Sequence, residues 1–253
     1  MSGSNNVAVT MTGALALAVM GLGAAHAATP ITIDDTGVFP ESMTATASGD
    51  LIVGSSAKGA IYRAKAGASK AELWIDPKTS GISGLLGVFA DDKTQTLYAC
   101  SAALGAPPGT GDALSALRLF DLRTGAAKAA YPMPGGAKAL CNDIAIGAGG
   151  AAGEIVELQP SVKLGGPDGL RSIGGLRFLQ AENQVGRISL VTVSGTTATV
   201  TPLKEGEPGV TAMALVKGQV WAINAKMAYR RDPALKDKDP NPFLVEPVGA
   251  LPQ

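Results

Sequence analysis

Three oxygen-bearing side chains stand at matching places in this sequence. Glu41 opens the stretch ESMTATASGDLIVGSSAKGAIYRAKAGASKAELWI, Asp168 opens DGLRSIGGLRFLQAENQVGRISLVTVSGTTATVTPL, and Asn142 opens the shorter NDIAIGAGG. Two carboxylates and an amide offer hard oxygen donors, and the carboxylates add acid–base capacity. Imidazole chemistry drops out, because the one histidine, His26, lies in an N-terminal segment expected to be removed. Ser-His-Asp and Cys-His mechanisms and His-bound metals are thereby excluded from the mature chain. Two thiols, Cys100 and Cys141, complete the reactive groups.

The elements that must position these residues are repeats. Residues 51–55 align with 176–182, 59–64 with 186–193, and 71–75 with 198–203, each unit running strand, glycine turn, strand, turn, strand, final strand. Four short antiparallel strands joined by tight turns make one propeller blade. Residues 84–102 leading to 116–133, and residues 211–232, supply two further units. Strand starts near Glu41, Leu85, Asp168 and Thr211 recur at about 43 residues where no loop intervenes, within the roughly 40–45-residue propeller repeat. No helical period is sustained outside the N-terminal segment. With 46% hydrophobic but only 4% aromatic residues, the core must be built of Ala, Val, Leu and Ile, while 33 glycines and 16 prolines supply turns. Trp74, Trp221, Tyr62 and Tyr98 are expected between blades, where large rings fill the gap between sheets. The expectation is an all-β propeller forming one domain over residues 28–253. Residues 31–36 and 243–248 fall outside the units, and one of them is predicted to complete the sheet of the opposite end.

The unit at Asn142 is interrupted. A strand is predicted over 142–146, followed by the glycine turn at 147–150. Ala151 and Ala152 then stand where a second strand should begin, and 153–158 reads as a third. Only 26 residues separate Asn142 from Asp168. Either one strand with its loop is absent, or about one whole blade and that piece are absent.

The first 33 residues carry no Lys, Arg, Asp or Glu, and residues 11–25 form an apolar run of signal-peptide length. An Ala-His-Ala cleavage site at 25–27 follows, although the n-region lacks Lys and Arg. A signal peptide over 1–27 and a periplasmic or secreted protein, with no membrane attachment after cleavage, are the expectation; an uncleaved anchor is the alternative. Lys and Arg number 21, as do Asp and Glu, so no net field favours nucleic acid. The glycine turn at 147–150 is not a phosphate loop, since no Lys-Ser/Thr or helix follows it.

The motifs GVFPES (37–42), CNDIAI (141–146) and GGPDGL (165–170) resemble blade starts of the senescence marker protein/gluconolactonase, or regucalcin-like, family over roughly residues 31–251. The resemblance implies a six-bladed type of propeller, with five to six blades in this chain. It implies a divalent metal, Ca²⁺ or Zn²⁺ with Mg²⁺ or Mn²⁺ as further candidates, held by Glu41, Asp168 and Asn142. It makes Asp168 the catalytic residue that helps deliver water to a small lactone or ester, and Asn142 a substrate-binding residue. Where the family carries an arginine two residues before that asparagine, this chain has Leu140. The implied function is that of an exported metal-dependent lactonase-like hydrolase with a small-molecule substrate; the charge balance argues against a nucleic-acid partner, and the sequence leaves the oligomeric state open, with a monomer favoured. A non-catalytic propeller binding a small molecule or protein is the alternative, and a six-bladed strictosidine-synthase type of fold a third. Each residue has a local reading as well: Glu41 as a turn residue after Pro40, Asn142 as a backbone tie, Asp168 as part of a PDG turn. On the blade register, Cys100 ends a second strand and Cys141 precedes the next blade's first strand. That permits a disulfide beside the channel mouth in an oxidising compartment, or two buried thiols.

Overall fold

The computed structural model describes residues 28–102, 115–134, 139–145 and 157–252. The expected signal peptide at 1–27 and the interruption at 147–156 lie outside the described residues. The chain enters on β1 (Ile31–Ile33) and lays down β2 (Pro40–Ala45), β3 (Leu51–Ser55), β4 (Ile61–Ala64) and β5 (Lys70–Ile75) as an antiparallel meander. A single helical turn, α1 (Pro77–Ser80), begins where the Asp76 carboxylate accepts from Lys78 N–H and ends on Gly81 in the left-handed region. It leads to the second meander, β6 (Leu85–Asp91), β7 (Thr96–Ser101), β8 (Ala116–Asp121) and β9 (Ala127–Pro132). After β10 (Gln159–Pro160) comes a third, β11 (Pro167–Ser172), β12 (Arg177–Glu182), β13 (Arg187–Ser194) and β14 (Thr197–Lys204). The fourth runs β15 (Val210–Val216), β16 (Gln219–Asn224), the turn α2 (Ala228–Arg231) and β17 (Leu244–Ala250). Among the described residues no helix is long and apolar enough to cross a membrane.

The chain is an all-β propeller, and its ring is closed by both ends. β1 pairs antiparallel with β17 (Ile31 opposite Val245), so the first strand is the outer strand of the last blade. It also runs parallel to β5, the outer strand of the first blade. β10 repeats this arrangement: it precedes β11 and runs parallel to β14. β10 is thus the fifth, edge strand of the β11–β14 sheet.

The apolar core lies between blades. Ile52, Ile61 and Ile75 of the first blade pack on Leu85, Val88, Leu97 and Phe120 of the second. Val53 and Tyr62 pack on Ala212, Ile223 and Val245 of the last. Leu179 and Ile188 pack on Val210, Met213 and Val220. A fully buried aliphatic side chain contributes about 1.5–3 kcal/mol, so these three seams carry most of the hydrophobic stabilisation. Polar locks cross them too: Arg63, paired with Asp50 and stacked 4.7 Å over Trp74, donates to the Leu122 carbonyl of the second blade. Tyr62 is fully buried and donates to Asp35. On the other flank of β11–β14, among the described residues, Val191, Ala198 and Val200 are buried together, with Leu164, Phe178 and Val193 partly buried against them. Tyr131, Leu140, Leu170 and Val185 stay largely exposed.

The segment at Cys141 occupies the inner-strand position next to β6, but the strand expected over 142–146 is not formed in residues 142–145. Asn142 O is pressed on Gly87, and Ile144 N–H turns to the carboxylate of its neighbour Asp143 instead of a ladder partner. A Cβ at Gly87 would lie 2.5 Å from Asn142 O, and one at Gly169 would strike Thr211 O of the next inner strand. Both glycines let inner strands close on one another. Gly87→Ala and Gly169→Ala are each expected to destabilise the fold by roughly 1–3 kcal/mol through overpacking against backbone. Urea midpoints read this directly, and unchanged midpoints in both would mean that the inner strands are not seated as described.

Candidate functional site

Each described blade carries the same irregularity in its inner strand. Pro40 pairs with Ser55 and Ser42 with Gly54, leaving Glu41 as an extra residue. Leu85 pairs with Ser101 and Gly87 with Cys100, leaving Leu86. Val210 pairs with Asn224 and Ala212 with Ile223, leaving Thr211. Between Pro167 and Leu170, Asp168 and Gly169 face a single residue of β12. A β-bulge bends the strand and re-aims the extra side chain. Here the bulges place Glu41, Leu86, Asp168 and Thr211 around one cavity, and Asn142 joins them from the irregular segment. The three residues singled out from sequence are thus brought together. The wider mouth, about 880 Å³, is also lined by Asn183, Asn224, Lys226, Met227, Arg230 and Arg231.

The electrostatics of the floor are unbalanced toward acid. Burial, with the Asp168 and Asp143 charges adding to it, pushes Glu41 up to about 9. Its Oε2 is buried and has no hydrogen-bond partner among the described residues. Asp168 is also raised, by burial, against the 2.7 Å hydrogen bond that Asn183 Nδ2 donates to its Oδ2; the Asp143 charge raises it further and Arg231 opposes. Asp143 also lines the floor. Below it, Arg171 reaches from β11 to donate to the Met43 and Val88 carbonyls, and burial pulls its guanidinium down. Its Nε is buried without a partner, and the guanidinium sits 5.7 Å from the Phe89 ring centroid. Arg171 therefore closes the channel beneath the acidic floor. Among the described residues no three carboxylate, imidazole or thiol groups are gathered closely enough to hold a cation by themselves.

Cys100 and Cys141 are bonded, which ties the residue before Asn142 to the end of β7. Cys141 N–H donates to Ser115 Oγ, 2.6 Å away, as a second anchor. Leu140, two residues before Asn142, is exposed and does not line the cavity.

Sequence reasoning missed Leu86, Thr211, Arg171, Asn183 and the α2 arginines. The signal for the first two was the alignment itself, since they occupy the register of Glu41 and Asp168. Arg171 and Asn183 follow the same inner strand and its return, but nothing in their spacing marks them.

Asp168 and Asn183 are held by a buried ion pair one residue away. The Glu182 carboxylate, with no exposed surface, accepts from Arg187 and from Gly165 N–H, and Arg187 also donates to Lys163 O. Burial acts to raise Glu182, yet the Arg187 and Gly165 donors hold it below the ordinary carboxylate value. Its contribution is therefore present above the unfolded value of about 4.3 and lost as pH falls through the lower folded value. Glu182→Gln should lower stability at neutral pH by roughly 3–5 kcal/mol, as for other broken buried pairs, and flatten the acid limb of stability against pH. An acid limb identical in variant and wild type would show that the pair does not set it.

The chain matches none of the known protein families and no curated protein. Among solved structures it is similar to the PQQ-bound form of an aldose sugar dehydrogenase from Streptomyces coelicolor, at 14% identity and TM-score 0.49, over 83% of this chain and 94% of that one. A streptogramin B lyase is similar at 11% identity and TM-score 0.32, over 76% of this chain and 50% of the lyase. The Malassezia sympodialis allergen Mala s 1 is similar at 16% identity and TM-score 0.27, over 81% of this chain and 54% of the allergen. At this distance the similarity carries nothing about substrate or reaction.

Proposed function

We propose that the chain is a metal-dependent hydrolase of a small lactone or ester, acting at the mouth of the propeller channel. The observation that carries this reading is the buried, unpartnered Glu41 Oε2 beside Asp168. A carboxyl left without a donor costs about 1–3 kcal/mol, and a bound cation would remove that cost. The donor set fits a hard divalent ion: two carboxylates from inner strands β2 and β11 and the amide of Asn142 from the irregular segment, with backbone carbonyls or water to complete it. Such an ion polarises a carbonyl oxygen and lowers the pKa of water.

The protein's own groups do the remaining work. Glu41 and Asn142 would hold the cation, and Asp168, its Oδ2 fixed by Asn183, would hold it and accept a proton from the attacking water through the other carboxylate oxygen. The Cys100–Cys141 bond keeps Asn142 at its post. Arg171 stands beneath the floor, so substrate would reach the acidic residues from the mouth. The resemblance to the senescence marker protein/gluconolactonase family supports the same assignment, and the disulfide supports an exported, oxidising setting.

A second reading, a propeller that binds a small molecule without turning it over, is favoured by Leu86, which puts an aliphatic side chain at one of the five inner positions. Calorimetric titration of the mature protein with Ca²⁺ and Zn²⁺, followed by a lactone panel, separates the two. Binding with metal-stimulated turnover is expected, and Glu41→Gln and Asp168→Asn should each weaken metal affinity by roughly tenfold or more. Metal binding without turnover selects the second reading; absence of both binding and turnover removes the hydrolase.

A further inference from the structure

The mouth has a basic rim above its acidic floor. Arg230 and Arg231, on α2, both line the cavity, and neither enters an ion pair among the described residues. Other cations nearby are committed: Lys226 Nζ donates to the Pro240 and Pro242 carbonyls, and Arg187 to Glu182. Arg230 is not free to swing. Its guanidinium lies 5.4 Å from the Phe39 ring, Phe39 packs 5.2 Å from Phe243, and Lys226 stands 5.4 Å from the far ring. Phe39 is itself held at φ 44°, two residues before Glu41, so this ladder fixes the rim to the strand that carries the floor. Arg231 follows on the same turn, and its charge reaches Asp168. An arginine pair without an ion-pair partner among the described residues, set over a carboxylate floor, is electrostatically polarised. A neutral carbonyl can approach the floor while an anion is held at the rim, where planar guanidinium forks bind carboxylate or phosphate oxygens in pairs.

We propose that Arg230 and Arg231 form an anion subsite, so that the substrate is a lactone or ester bearing an anionic group remote from its reacting carbonyl. This rests on the hydrolase reading for the word substrate, but the subsite itself is tested without turnover. Ligand-observed NMR with metal-free mature protein would follow pentanoate and its neutral counterpart pentanamide. Pentanoate should bind more tightly than pentanamide, and Arg230→Gln/Arg231→Gln should abolish that preference with a loss of roughly tenfold or more in pentanoate affinity, the scale of a charge-assisted hydrogen bond. Arg230→Lys/Arg231→Lys should restore most of it, which a merely misfolded rim would not. Equal binding of the two ligands to wild type, or pentanoate binding unchanged in the Gln variant, overturns the subsite. Pentanoate binding through the arginines in a protein that hydrolyses no lactone leaves the subsite standing and removes the hydrolase. Hydrolysis of neutral and carboxylated lactones at equal efficiency, with no pentanoate preference, does the reverse.

Discussion

The repeated bulge in the inner strands is the constraint on which the rest of the molecule depends. A regular strand would alternate its side chains between the two blade faces, burying every second one against a neighbouring blade. One extra residue breaks that alternation at the channel mouth and releases a side chain from both faces. Glu41, Leu86, Asp168 and Thr211 are therefore exempt from the packing rule that fixes their neighbours. The fold supplies positions around the mouth where residue type is set by chemistry alone. Two hold carboxylates, one a hydroxyl and one an aliphatic group.

That freedom has a counterpart in how charge is handled below the surface. Glu182 and Arg187 satisfy one another and hold the turn from which Asn183 reaches Asp168. Arg171 has two backbone carbonyls as acceptors, one from β2 and one from β6. Among the described carboxylates, Glu41 is the one with a buried oxygen that nothing meets. A buried ion pair that is complete shapes the scaffold, while one that is half present marks where something else belongs.

Much of the scaffold was legible because blades repeat. The alignment of 51–75 with 176–203 predicted β3–β5 and β12–β14, and the strand starts at Glu41, Leu85, Asp168 and Thr211 fell within a residue of β2, β6, β11 and β15. The idea that an end strand closes the ring was right: β1 docks on β17. Tyr62 was placed correctly between sheets. The bulges were not legible, since a register shift depends on which residue of the partner strand lies opposite, and spacing along one strand does not reveal it. The expected strand at 142–146 was misread for a related reason. Its alternation is strand-like, but in the described part no partner completes a ladder, and packing on Gly87 holds it instead. Arg171 and the α2 arginines escaped notice because their roles come from what other blades bring to them.

Closure by β1 also dictates the order in which the molecule can be finished. β1 can meet β5 as soon as the first blade is laid down, but its pairing with β17, which completes the last blade, waits on the strands that lie between them. Contacts between such distant segments carry the largest loop-closure entropy in the ring, which makes their formation a late step in folding. Once zipped between the two blades, β1 converts a row of independently stackable units into a single cooperative body. Loosening either end would then be felt at the mouth, because Phe39 and Phe243, which brace the arginine rim, sit on the two segments that β1 draws together.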